Sequence, residues 1–274
     1  MCNQLLIAAH PRSGSTYLCR ILGQFEQTEV FLEIFHTNPD VMKQHLKGAY
    51  PKVIQKLGLS GNDEFIRNEI ISRNCQYTKI LSSLYPYKTL VYKLFPGHLP
   101  PKHMQEQIKN SRFVLLLKRN LLHSYISDVI ATTSQKWSGV DTTSKLATFS
   151  QQKFIQHIFR SQRFYTNVEN LAKKQGQKMI VINYEDLIKS KTPYQYLSDL
   201  FAGSLKLTSP AKINTFSNTI QDKRVMAKAK VVNPVAMEDF LNSVGLSTLD
   251  NGNNFCRDTD YNLALEQYKK QKHT

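Results

Sequence analysis

The stretch that most limits what this chain can become is its first strand and the turn after it. Asn3 to Ala9 hold an apolar run (Leu5, Leu6, Ile7, Ala8, Ala9), and Tyr17, Leu18, Ile21, Leu22 and Phe25 recur at helical spacing. Between them lies His10-Pro11-Arg12-Ser13-Gly14-Ser15-Thr16. A strand, a tight Gly/Ser turn and a helix start gather backbone N–H groups at the positive end of a helix dipole, where an anion is favoured. Gly14 lets the backbone approach that anion, and Ser13, Ser15 and Thr16 add hydroxyl donors. The plainer alternative is an ordinary capped helix. The loop lacks the GxxxxGK[ST] spacing and has Arg12 instead of a P-loop lysine, so a magnesium-dependent kinase loses its main support.

Further apolar runs at Thr89–Phe95, Arg112–Leu117 and Lys178–Asn183 predict three more strands. Helical patterns cover 41–83, 121–131 and 144–175, with breaks near Pro51 and at Ser60–Asp63, where Asp63 is the expected cap, and with Gly176 ending the last. Glu29–Phe35 is a short apolar run interrupted by Glu33. Strands alternating with helices predict an α/β, three-layer, P-loop-like fold whose central parallel sheet is flanked by helices. A single domain over 1–274 is expected, with acceptor-pocket or lid segments near 36–85 and 132–150; 41% apolar content suffices for one core.

Charge then restricts the partners. Lysine and arginine exceed acidic residues by 36 − 21 = 15, which suits an anionic ligand. The basic residues are dispersed and no aromatic RNA-binding signature accompanies them, so nucleic acid is not expected. Cys2, Cys19, Cys75 and Cys256 form no CxxC pair and read as free thiols of a reducing compartment. His98, His103 and His157 lack ligand spacing, so no metal is expected. No apolar run reaches signal-peptide or membrane-spanning length; a cytoplasmic location without membrane attachment is the expectation.

Arg119 ends the strand at 112–117, where open parallel sheets bind ligands, and Ser127 follows on a helix. A planar guanidinium and a hydroxyl at that spacing suit a phosphate, although a surface arginine is the alternative. Pro-Arg-Ser-Gly-Ser-Thr-Tyr-Leu, Arg119-Asn120…Ser127 and Tyr184-Glu185-Asp186-Leu187 together resemble the sulfotransferases that use 3′-phosphoadenosine 5′-phosphosulfate (PAPS). The arginine-bearing loop is most similar to the bacterial trehalose-type and carbohydrate branches. The steroid and phenol branch usually has lysine at that place, and Leu121 stands where many relatives have proline.

The resemblance implies that Arg12, Ser13, Gly14, Ser15 and Thr16 hold the 5′-phosphosulfate. It also implies that Arg119 and Ser127 hold the 3′-phosphate and that Tyr184 packs beside the nucleotide, with Glu185 and Asp186 capping and fixing the loop. Lys223 and Arg224, before Val231-Val232-Asn233-Pro234, resemble a late loop that closes on the 3′-phosphate. The product would be adenosine 3′,5′-bisphosphate (PAP). Arg12 would then stabilise the departing 5′-phosphate oxygen. Two bases remain open. Glu33, in Phe-Leu-Glu-Ile-Phe-His, matches the glutamate of the trehalose-type branch; His98 lies too late after Lys93 to match the other branch. Glu33 is preferred, with a pKa expected to rise by desolvation, and Lys93 is expected to touch the sulfuryl oxygens. The implied activity is sulfuryl transfer to a hydroxyl, amine or amide nitrogen of a soluble small molecule, such as a natural product or a sugar. A homodimer is left open, as are two rival functions: a nucleotide-binding interaction protein without turnover, and a P-loop kinase.

Overall fold

A computed structural model describes residues 3–137, 141–202, 205, 207–208, 224, 226–247, 266 and 269. Five strands form one sheet: β1 (Gln4–Ala9), β2 (Thr28–Val30), β3 (Thr89–Leu94), β4 (Phe113–Lys118) and β5 (Lys178–Asn183). Their order is β2-β3-β1-β4-β5 and every pair is parallel. β1, β3 and β4 are buried along their whole length, as strands covered on both faces must be. Side-chain alternation sorts them: Leu6, Ala8, Val114 and Leu116 enter one core, while Leu5, Ile7, Ala9, Leu115 and Leu117 enter the other.

Helices supply the outer layers. α1 (Ser15–Leu22) follows β1, and α2 (Pro39–Leu46), α3 (Ala49–Leu57), α4 (Asp63–Ser72) and α5 (Asn74–Ser83) fill the β2–β3 connection. α6 (Pro101–Asn110), α7 (Leu121–Ser134), α8 (Gln151–Lys174), α9 (Tyr184–Lys189), α10 (Pro193–Phe201) and α11 (Pro234–Ser243) follow. α1, α9 and α10 cover one face of the sheet. Residues of α2 to α6 and α8 cover the other. A third cluster joins α7, α8 and α11 through Tyr125, Phe154 and Phe240. The three-layer α/β architecture is therefore as the sequence predicts.

Three local readings change. β2 is a strand where only an apolar run was expected. Phe31 N–H donates to Val91 C=O at 2.8 Å and Lys93 N–H to Leu32 C=O at 2.9 Å, so the chain beyond β2 still tracks β3. The long helix starts at Gln151 rather than 144, because the Ser150 hydroxyl caps it and Ala147 pairs with Val231 instead. Asn62, not Asp63, caps α4 by accepting the Phe65 N–H at 2.9 Å. Leu121 is the first residue of α7, behind an Asn120 cap that accepts the Leu122 and His123 N–H groups at 3.0 and 3.1 Å. Leu121 thus occupies the first helical position, one that also favours proline.

Candidate active site

Because all strands run the same way, the residues that follow each of them meet at one edge of the sheet. Arg12 follows β1, Glu33 follows β2, Lys93 and His98 sit at and beyond the end of β3, Arg119 follows β4 and Tyr184 follows β5. This is the edge where open parallel sheets hold ligands.

The cradle is built from strained backbone. Arg12 and Gly14 both adopt left-handed conformations, at φ 64° and 85°, and the Ser13 N–H closes the turn on His10 C=O at 3.2 Å. Gly14 caps α1 without a side chain, and no acidic residue occupies the first turn, so nothing in the helix competes with an external anion there. A Cβ on Gly14 would lie 2.1 Å from the Tyr184 ring; only glycine lets that ring lie on the loop. Ser13 Oγ is buried with no partner, an orphan donor in the middle of the turn.

Arg12, Arg119, Ser127 and Tyr184 form one group beside it. Arg12 Nε donates to Ser127 Oγ at 3.1 Å, and its Nη1 reaches the Trp137 carbonyl. Arg119 Nη1 donates to the Arg12 carbonyl at 2.6 Å, its guanidinium stacks 4.8 Å from the Tyr184 ring centroid, and its Nε is buried without a partner. Burial, and then the charge of Arg119, lower the Arg12 pKa from the usual arginine value. Such a pair of cations is relieved by an arriving anion. Glu185 accepts the Asn120 N–H at 3.1 Å and ties α9 to the start of α7. Asp186 accepts from Asn183 Nδ2 at 3.1 Å.

A second group meets the start of α1 at Thr16. Alternation puts Lys93 on the face of β3 that meets α1, where its Nζ donates to Thr16 Oγ1 at 3.0 Å and pairs with Glu33 Oε1 at 3.1 Å. One buried ammonium thus links the cradle to a carboxylate. Glu33 is anchored by its own N–H, donated to His45 Nδ1 at 3.2 Å. Its expected upward pKa shift is corrected here. Burial does push it up, and is the largest single influence. The Lys93 charge and hydrogen bond, helped by His98 and His36, outweigh burial, so the pKa falls below the ordinary carboxylate range. Glu33 is ionised at neutral pH and able to accept a proton. Burial, above all, lowers His98 to about 4.

Glu33, His36 and His98 bring ligand-type atoms within 4.8 Å of one another. The imidazoles are nonetheless wired as donors. His98 Nδ1 accepts the Phe95 N–H at 3.3 Å. His36 Nδ1 accepts the Asn38 N–H at 2.9 Å, a closer contact than its 3.4 Å to the Asn38 carbonyl. A ring nitrogen that accepts has no proton, so each neutral ring carries its hydrogen on Nε2, the atom that faces Glu33. Metal ligation through Nε2 would require the opposite tautomer in both rings.

Behind the cradle, α8 clasps two strand ends: the Tyr165 hydroxyl accepts the His10 N–H at 3.2 Å and donates to Leu117 C=O at 2.8 Å. His10 and His157 stack edge to face at 4.8 Å, and His157 Nε2 lies 2.8 Å from Ser124 Oγ. Burial lowers His10 to about 4 and His157 to about 3.

Of the residues singled out in the sequence, Arg12, Ser13, Gly14, Ser15, Thr16, Arg119, Ser127 and Tyr184 gather at the cradle, and Glu33, Lys93 and His98 gather beside Thr16. Arg224 gives its guanidinium to the carbonyls of Ala229, Thr142 and Lys145, at 2.8, 3.3 and 2.6 Å; Lys223 lies outside the described residues. His36 and His45 lie beside Glu33 and were not singled out, and Asn120, quoted in the motif, was given no role of its own. Among the described residues no helix is long and apolar enough to cross a membrane.

The model of a family described as the sulfotransferase family matches residues 4–193. The match runs from β1 to the start of α10, so it contains the cradle, the cation pair and the Lys93–Glu33 link, and Arg224 lies beyond it. No curated protein matches the chain.

Proposed function

The chain belongs to the sulfotransferase family, and from that premise we propose that it transfers the sulfuryl group of PAPS to a hydroxyl, or to an amine or amide nitrogen, of a small-molecule acceptor such as a natural product or a sugar. The observation that carries this reading is the Lys93 bridge from Thr16 of the cradle to Glu33. It joins an anion site to a base, which a binding protein without turnover has no need of.

The residues present fit the donor. The orphaned Ser13 hydroxyl, the acid-free start of α1 and the partnerless Nε of Arg119 are what a phosphate-bearing nucleotide would satisfy. Ser13 to Thr16 and Arg12 would hold its 5′ end, Arg119 and Ser127 its 3′-phosphate, and Tyr184 the region beside the base. When bound, PAPS supplies a sulfuryl group on a good leaving phosphate. Arg12 stays protonated and stabilises negative charge at the cradle. Glu33 accepts the proton that the acceptor's O–H or N–H releases as its bond to sulfur forms. Lys93 holds Glu33 ionised and offers its one remaining N–H at the same point. The trehalose-type or carbohydrate branch is the proposed affinity, on the strength of Arg12 and Glu33.

Two measurements test the reading. PAP raises the thermal unfolding midpoint while magnesium-ATP does not, and labelled sulfate moves from PAPS to a member of an acceptor panel. Stabilisation by magnesium-ATP alone would favour a kinase, and PAP binding with no transfer to any acceptor would favour the interaction protein.

Arg119→Ala gives a further check. It removes a charge-assisted phosphate contact worth ~1.5–3 kcal/mol, so PAP binding weakens by roughly one to two decades. The same guanidinium also braces the Arg12 carbonyl, so loop order declines with it. An unchanged dissociation constant would remove Arg119 from the site.

A further inference from the structure

We propose that His36 and His98 are positioning residues for Glu33: their Nε2–H groups converge on Oε2 and leave Oε1, the oxygen beside Lys93, to take the acceptor's proton. The inference rests on Glu33 being the base.

The two carboxylate oxygens stand in different surroundings. Oε1 lies 3.1 Å from Lys93 Nζ. Oε2 lies 3.6 Å from His36 Nε2 and 3.6 Å from His98 Nε2. That length exceeds a formed hydrogen bond, so in this state the rings act as aligned N–H dipoles; catalytic contacts of this kind tighten once substrate is bound. Two donors are aimed at the lone pairs of Oε2, whereas Lys93 takes only one of the pairs on Oε1. The remaining pair belongs to the oxygen that Lys93 ties to the cradle.

The rings are held in place from two separate segments. They pack edge to face at 5.7 Å, and Phe95 stacks on His98 at 5.2 Å. The other titratable or charged groups around Glu33 do not duplicate their role. Lys93 from β3 faces Oε1. His45 from α2 spends Nδ1 on the Glu33 N–H. Cys19 from α1 is buried and pushed up to about 11, hence neutral. Arg67 from α4 donates to the His36 carbonyl at 3.1 Å.

The test is a carbon-13 carboxyl titration of the whole chain, with the Glu33 signal identified by its loss in Glu33→Gln. His36→Leu, at a partly exposed position, and His98→Leu each move the Glu33 midpoint upward by about half a pH unit or more, since donors to the charged form are lost. His36→Gln, which keeps an N–H, recovers part of the shift. The acid limb of turnover moves in the same direction. A ring that only filled space would be replaced in kind by leucine, and the midpoint would stay where it was. A midpoint that stays or falls in both leucine variants overturns the proposal. A midpoint that rises in an enzyme that moves no sulfate supports the positioning of Glu33 and overturns the assigned reaction.

Discussion

Glu33→Gln lowers turnover by ~10²–10⁴, the usual worth of a positioned general base, and leaves PAP binding nearly unchanged. The amide keeps the shape of the carboxylate but cannot take a proton. It is also mismatched to its neighbours. If its carbonyl faces Lys93, its NH₂ confronts the His36 and His98 N–H groups; turned round, it confronts the ammonium. Arg12, Arg119 and Ser127, the residues proposed to bind the nucleotide, make their contacts elsewhere, so the loss is expected to fall on the rate. His98→Asn has the smaller effect, because His98 Nδ1 is already engaged by the Phe95 N–H and its other nitrogen is a donor. Should Glu33→Gln keep most turnover while His98→Asn abolishes it, the base is the histidine.

Gly14→Ala collapses the cradle. The position has φ 85°, where an alanine costs ~1–2 kcal/mol. Its methyl would meet the Tyr184 ring at 2.1 and 2.2 Å, and relieving such overpacking costs ~1–3 kcal/mol more. The ring can escape only by leaving the loop, and that also strips Arg119 of its stacking partner. PAP affinity is expected to fall by a decade or more, with a lower unfolding midpoint. Adding Tyr184→Ala to Gly14→Ala restores the steric part of the stability and not the backbone part. A Gly14→Ala protein that binds PAP like the parent would refute the geometry of the cradle.

The cradle was legible because its logic is local. An apolar run, a Gly/Ser turn and a helical repeat are contiguous, and strands buried on both faces announce themselves as unbroken Val/Leu/Ile stretches such as 113–117. β2 was not legible: it is three residues long, and the apolar run that follows, Phe31, Ile34 and Phe35, is buried loop rather than strand. The start of α8 was hidden because residues 144–150 continue its polar pattern while Ala147 pairs with the distant Val231. The direction of the Glu33 shift needed Lys93, a residue of another strand, to be placed against it. His36 gave no signal, since its role depends on the Asn38 backbone fixing its tautomer.

The buried imidazoles packed around the site also govern how the protein meets acid. His10 and His98 have folded pKa values of about 4 and His157 of about 3, against an ordinary 6.5. Below pH 6.5 the unfolded chain takes up protons that the fold refuses. Stability therefore declines as pH drops from 6.5 towards 4 for the first two and towards 3 for the third, then levels. One pKa unit corresponds to about 1.4 kcal/mol, so together they can remove several kcal/mol, a large share of a typical domain's stability. Asp128 and Glu185, whose pKa values are raised chiefly by burial, run the other way and offset part of this. Urea unfolding midpoints should fall steeply between pH 6.5 and 4, with a shallower slope in His157→Gln; a flat profile would contradict the neutral burial of these rings. The packing that lowers these pKa values thereby sets an acid limit on the fold.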